Sequence, residues 1–457
     1  MLTKKQTKID IMKKSLFLQQ IGDGDNRLYY HSLFGNLFLL ERDYIDVLED
    51  EDPSRFIGSE KDTIVSELMA SYYLVDTSVD ERLLLKEKNI SFLQKISAGD
   101  NVTSLDLNIS ELCNFTCPHC MNGCQIQNKK NKLMSWDTAK LAVDKYAEII
   151  KKRDIIGEVH FGSAEPLINW DVIERIVNYC KEVLPQTPIS INTNLSLLTR
   201  ERAIFFRDNK VSIASSLDGP KDGNDMIRTQ KKGGTYDIIM GKLNLLKEIG
   251  YPLDGISITM NDLNIDFINE EFILSLKELG FIGLATDIDL VNSKNCSKDI
   301  DFYVDKLLYI YQLCKENGMV NFGSWSLIYS NLVNQENDEP ITYCKAQSGR
   351  NLSINPEANV FICGYSISKV GTLDNIHKLF MDNSPYTNLI ATKLPGNQER
   401  CLDCELEGIC SGQCLITDEF NQKKEKDNNK LDFLCEFYKK CTSRMLDIKL
   451  KSELSII

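Results

Sequence analysis

Histidine is scarce in this chain: only His31, His119, His160 and His377 occur among 457 residues. Zinc-hydrolase and Ser–His chemistry, which draw on imidazoles, have little to work with. Long apolar runs are missing as well, since no stretch approaches the roughly 18 uninterrupted apolar residues of a membrane helix. The start, MLTKKQTKIDIMKKSLFLQQ, has basic residues but neither a long apolar core nor a small-residue cleavage site. No signal peptide is read there, and a cytoplasmic chain without a membrane partner is expected. Positive charge is in deficit too: 53 basic against 66 acidic side chains leave −13, a poor match for nucleic acid. Cysteine is absent from the first 112 residues.

What remains is ordinary globular composition, 42% apolar and 26% charged. At roughly 150 residues per domain the length suggests about three domains, and the composition excludes a disordered tail, a fibre and a small disulfide scaffold. The fifteen cysteines are grouped. Cys113, Cys117, Cys120 and Cys124 fall in one short window, eight lie between Cys344 and Cys441, and Cys180, Cys296 and Cys314 are scattered. Tight groups in an intracellular chain read as metal or cluster ligands kept reduced.

Three pieces follow from the patterning. Residues 1–100 open with RLYYHSLFGNLFLL, two apolar runs around Gly35-Asn36 that predict a hairpin. Helical spacing follows in Tyr44, Val47 and Leu48, and again in Ile64, Val65, Leu68 and Tyr72. This is a winged-helix-like α+β module or a cap on the next domain. Residues 101–325 alternate strands (104–110, 158–162, 189–194, 211–216, 255–260, 284–291) with amphipathic helices, and 292–297 reads as a turn-like break. Six such units predict an α/β fold: a partial (β/α)6 TIM-like barrel with its site at the strand C-terminal ends. Residues 326–457 lose this periodicity and read as an irregular domain held by bound clusters.

The sequence LNISELCNFTCPHC places Cys113, Cys117 and Cys120 directly after the first barrel strand. Three thiolates in one loop can hold three irons of a [4Fe–4S] cluster and leave the fourth open. A zinc knuckle would want four ligands in C-x2-C pairs. Cys124 reads as an extra thiol or as a fourth ligand.

This loop resembles the signature of the radical S-adenosylmethionine superfamily, CxxxCxxC after the first strand of a partial (β/α)6 barrel. The likeness extends to FGSAEP (161–166), which has Ser163-Ala164 around the family's second glycine and leaves room for a backbone shift. It also covers INTNLSLL (191–198), with Leu195 for glycine, and SSLDGPKDGNDMIRTQKKGGTYD (215–237). The resemblance implies that Glu165 contacts the methionine amino group, that Asn194 faces the ribose, and that Ser216 and Arg228 meet ribose and carboxylate. It also implies that His119 stacks beside adenine. The residue-level alternatives are a helix cap for Asn194 and a surface ion pair for Arg228. The implied chemistry is reductive cleavage of S-adenosylmethionine to a 5′-deoxyadenosyl radical that takes hydrogen from an unactivated C–H bond. Asp218, Asp287 and Asp289 sit at predicted strand ends, where site residues belong, and none is singled out as acid or base.

Downstream, CLDCELEGICSGQC (401–414) resembles the SPASM domain of radical enzymes that modify peptides. That likeness implies one auxiliary [4Fe–4S] cluster on Cys401, Cys404, Cys410 and Cys435, and a second on Cys344, Cys363 and Cys414. The second has either an open iron or Cys441 as its fourth ligand. Ala358 stands where glycine is usual, and Arg350 where some members carry a further cysteine. Zinc in two four-cysteine sites is the alternative staple. Together the pieces resemble maturases of ribosomally made peptides, with S-adenosylmethionine and three [4Fe–4S] clusters as cofactors. The expected partners are a precursor peptide whose leader adds a strand to the N-terminal sheet, and an electron donor such as flavodoxin or ferredoxin. A Cys thioether cross-link is the expected product. A formylglycine-generating sulfatase maturase and a peptide C–C cross-linker or epimerase are the alternatives.

Overall fold

A computed structural model describes residues 11–122, 132–290, 296–334, 339–424 and 428–455. Cys124 and most of the turn-like break at 292–297 lie outside them.

Along Ser104–Ser110 (β6 in chain order) the buried Leu105, Leu107 and Ile109 alternate with Asp106 and Asn108. Alternate side chains of a strand leave opposite faces, so the leucines enter the core while the polar set meets its counterparts on neighbouring strands. Asn351 donates to Asp106 Oδ2 at 2.9 Å, and His160 Nδ1 lies 2.9 Å from Ser190 Oγ. Next to β6 come β7 (Glu158–Ser163), β8 (Ile189–Asn192) and β9 (Ser212–Ala214), all parallel. Backbone bonds from Leu217 to Ser257 and from Ser257 to Ser215, both 2.9 Å, carry the ladder on. They lead to β10 (Gly255–Met260), which pairs in parallel with β11 (Gly283–Ile288). These six strands are the six expected, in chain order. The sequence reading passes over β12 (Val320–Phe322), a three-residue strand parallel to β11 with Val320 and Phe322 exposed.

Helices cover the outer face. Among the described residues the first after β6, Trp136–Arg153, starts where Ser135 Oγ accepts the Thr138 N–H at 3.1 Å. Its buried Ala139, Ala142, Val143, Tyr146, Ala147 and Ile150 recur at helical spacing.

The C-terminal segment is more ordered than its sequence suggests. Asn351–Ile354 (β13) adds in parallel to the free side of β6, Asn359–Phe361 (β14) and Gly371–Thr372 (β15) follow antiparallel, and a helix runs through Asn428–Leu454. Four- and three-residue strands are too short to display a period, which is why they escape a pattern search.

At the N-terminus, Leu18–Ile21 (β2), Arg27–His31 (β3) and Leu37–Leu40 (β4) form an antiparallel sheet, and Met12–Lys14 (β1) pairs with Leu74–Asp76 (β5). Gly35 takes φ 76° in the β3–β4 turn, as the hairpin expectation requires. Helices Arg42–Leu48, Asp62–Ala70 and Glu81–Ser97 complete the module. It rests on the cysteine loop 401–410. Arg82 pairs with Glu407 and with Asp403 (2.9 Å), and Tyr30 donates to the Glu405 carbonyl at 3.2 Å. At Gly408 a Cβ would stand 2.0 Å from the Ser32 carbonyl oxygen, so only glycine permits this approach. Among the described residues no helix is long and apolar enough to cross a membrane.

Candidate functional site

At the C-terminal ends of the barrel strands opens a cleft of about 490 Å³, with Cys113, Cys117 and Cys120 on one wall. The thiols feel one another's charge: burial first, then neighbours that include the other two cysteines, pushes Cys113 up to about 12. Burial also pushes Cys117 up to about 11, against the Arg228 charge that lowers it. Three half-buried thiols lining one cleft fit the open-cornered cluster. Among the described residues no group of three or more His, Cys, Asp or Glu closes on a single metal ion.

Of the residues expected to touch the nucleoside, Asn194, Ser216, Arg228 and His119 line this cleft. Asn194 Nδ2 lies 3.8 Å from Cys113 Sγ and donates to Asn114 Oδ1 at 3.0 Å. Ser216 sits where β9 meets β10, in a parallel bridge with Ser257. Arg228 is no surface residue: its side chain is 14% exposed, and its guanidinium forms an ion pair with the fully buried Asp218. His119 Nε2 stands 3.6 Å from the same carboxylate, and burial lowers its pKa.

Glu165 is placed differently. It is 0% exposed and does not line the cleft. Oε1 accepts from the Leu167 N–H (3.0 Å) and from Thr193 Oγ1 (2.8 Å), and Oε2 accepts from the Asn194 N–H (2.8 Å). Burial raises its pKa and these three donors lower it again. In this structure the carboxylate ties the end of β7 to the turn after β8.

At three positions where the resemblance expects glycine, this chain places another residue in the left-handed region that favours glycine. Ser163, Leu195 and Ala358 have φ of 87°, 62° and 61°. Each of these left-handed residues carries conformational strain of about 1–2 kcal/mol.

The opposite wall comes from elsewhere in the chain: Asp287, Asp289, Ser324, Tyr343, Tyr365, Tyr438 and Cys414. Sequence reasoning weighed the aspartates but missed the tyrosines. Their positions were a signal, because Tyr343 precedes Cys344, Tyr365 follows Cys363 by two, and Tyr438 follows Cys435 by three. The C-terminal thiols fall into two groups. Cys363 feels Cys414 and Cys344, and Cys414 feels Cys344. Cys410 feels Cys401, Cys435 and Cys404. Cys441 is fully buried, and burial raises its pKa. Six residues along a helix rotate a side chain through about 600°, so Cys435 and Cys441 leave different faces. Arg350 pairs with Glu339 at 3.8 Å.

Residues 107–260 match the Radical SAM superfamily. The radical SAM cyclopropyl synthase TigE of Paramaledivibacter caminithermalis is 25% identical over 466 residues, covering 95% of each chain. In fold the chain is similar to anSMEcpe with bound AdoMet (TM-score 0.61, 15% identity, 78% of this chain and 100% of that one). It is also similar to SuiB of Streptococcus suis bound to precursor peptide SuiA (TM-score 0.54, 15% identity, 91% and 98%). The chain thus carries a radical SAM domain and is a radical SAM enzyme homologous to the synthase.

Proposed function

We propose that this enzyme is a peptide maturase, closing a bond in a ribosomally made precursor peptide with net loss of two hydrogens. The observation that carries the reading is the two-walled cleft, with Cys113, Cys117 and Cys120 on one side and Cys414 of the second cysteine group on the other. Cys113, Cys117 and Cys120 would hold a [4Fe–4S] cluster open to S-adenosylmethionine, with Asn194, Ser216, Arg228 and His119 around the nucleoside. Bound there, the pair supplies one-electron chemistry that removes a hydrogen atom from an unactivated C–H bond. Cys344, Cys363 and Cys414 would hold one auxiliary cluster beside the substrate, and Cys401, Cys404, Cys410 and Cys435 another under the N-terminal module. That module (residues 1–100) would take the leader, the barrel (101–325) the reacting segment, and residues 326–457 the SPASM role. A flavodoxin or ferredoxin would deliver the electron.

Two products fit the same stoichiometry. A thioether follows if a precursor cysteine joins the Cys344–Cys363–Cys414 site. The name of the relative that spans 95% of both chains favours a carbon–carbon ring. Co-expression with a small peptide encoded nearby, followed by mass spectrometry, tests the reading: a peptide two hydrogens lighter supports it. Alkylation then separates the products, since a thioether blocks the cysteine and a carbon ring leaves it reactive. A sulfatase maturase would act without the leader module, so unchanged turnover after deletion of residues 1–95 would overturn the peptide-maturase assignment.

A further inference from the structure

We propose that Asp287 is the base that takes the proton released from the peptide as its new bond closes, an inference that rests on the maturase reading above. Loss of two hydrogens divides into one hydrogen atom, one electron and one proton. The hydrogen atom would leave with the deoxyadenosyl group, and an oxidised iron–sulfur cluster held by Cys344, Cys363 and Cys414 would accept the electron. The proton needs an acceptor in the cleft, whether the partner atom is sulfur or carbon; an epimerisation would not.

The ionisable groups of the cleft differ in fitness for that task. Arg228 is a permanent cation paired with Asp218, and His119 stands against the same carboxylate on the cluster wall. Burial raises the Tyr438 pKa, so its hydroxyl stays protonated. Asp287 lines the cleft from the end of β11. Among the described residues both hydrogen bonds to its carboxylate fall on Oδ1, from the Ser324 N–H at 2.7 Å and Ser324 Oγ at 2.6 Å. Oδ1 is held and Oδ2 is left for the substrate.

Its position adds a second argument. Tyr343 and Tyr438, whose hydroxyls are 2.9 Å apart, each feel the charge of both Asp287 and Cys414. Proton and electron therefore leave toward the same wall. In a low-dielectric cleft this avoids separating charge, which would be costly there. Burial raises the Asp287 pKa, strengthening it as an acceptor.

The test compares wild-type holoenzyme with Asp287→Asn and Asp287→Glu, using a precursor peptide deuterated at the reacting carbon. Asparagine keeps an acceptor for Ser324 but takes no proton. Wild type should yield lighter peptide and deuterated 5′-deoxyadenosine. Asp287→Asn should keep deuterium transfer while modified peptide falls by about a hundredfold or more, and Asp287→Glu should recover part of it. Unloaded Asp287→Asn should melt no lower than wild type at pH 7, because the amide ends the burial of a carboxylate. Product within about threefold of wild type overturns the assignment; so does loss of deuterium transfer in a variant that melts like wild type. If Asp287→Asn does not fold, Ser324→Ala decides. Losing the Oγ donor raises the Asp287 pKa and should move the acid limb of product formation upward, and an unmoved limb overturns the proposal. The groups facing Asp287 are Tyr343 and Tyr438, with Asp289 two residues on and Arg228 and His119 lining the same cleft. If wild type makes no lighter peptide, the maturase reading itself fails.

Discussion

The carboxylate of Glu165 holds the backbone N–H of Asn194 at 2.8 Å, and Asn194 in turn reaches Cys113 Sγ at 3.8 Å. A buried acid at the end of one strand thus fixes the residue that stands over the first thiol, 81 positions earlier.

That arrangement predicts a cost in the unloaded protein. Glu165→Gln puts a donor where Leu167, Thr193 or Asn194 needs an acceptor. It should destabilise the fold by about 1–3 kcal/mol and weaken S-adenosylmethionine binding as well. Thermal melting of the unloaded variant checks this. An unchanged melting temperature would make Glu165 a ligand contact rather than a strut.

Arg228 and Asp218 form a buried pair, so removing one partner strands the other. Arg228→Met should cost about 3–5 kcal/mol, and adding Asp218→Asn should recover much of it. Because Arg228 lowers the Cys117 pKa, the single variant should also slow alkylation of that thiol. Mass spectrometry after timed iodoacetamide treatment reads the effect.

Alkali should destabilise the unloaded protein. Burial pushes Cys113 and Cys410 up to about 12, and Cys117 and Cys414 up to about 11, from 9.0. Above pH 9 the unfolded chain sheds these protons and the folded chain keeps them, so stability is full below pH 9 and falls as pH rises toward 12. Melting temperatures at pH 7.5, 9 and 10 should fall in that order. For the same reason cluster assembly, which needs thiolates, should quicken over this range.

Ala358→Gly should stabilise. The Ala358 N–H bonds to the Asn355 carbonyl at 3.0 Å in the turn joining β13 to β14, with φ 61°. Relief of about 1–2 kcal/mol of left-handed strain against glycine's entropy of about 0.5–1 leaves a net gain of about 0.5–1 kcal/mol, readable by denaturant titration.

Cys441→Ala should leave the iron content of reconstituted protein unchanged, whereas Cys363→Ala should lower it. Equal losses would return Cys441 to the ligand set.

The strand order of the barrel and the CxxxCxxC loop were legible because both are local. Alternation along a strand and thiol spacing within a loop constrain residues a few positions apart. The hairpin at Gly35 was legible for the same reason. The short strands β12, β13 and β14 were not, having too few residues to show a period. Nor were the three hydrogen bonds that Glu165 accepts, since their donors lie in two turns that the fold brings together.

The residue sequence alone determined how the thiols are grouped and spaced and the class of chemistry to which the barrel belongs. Only the tertiary structure decided that Cys414 and Asp287 share a cleft with Cys113 and that Arg228 is buried against Asp218. Those relationships depend on how strands and helices far apart in the chain pack, because burial and charge act through space rather than along the backbone.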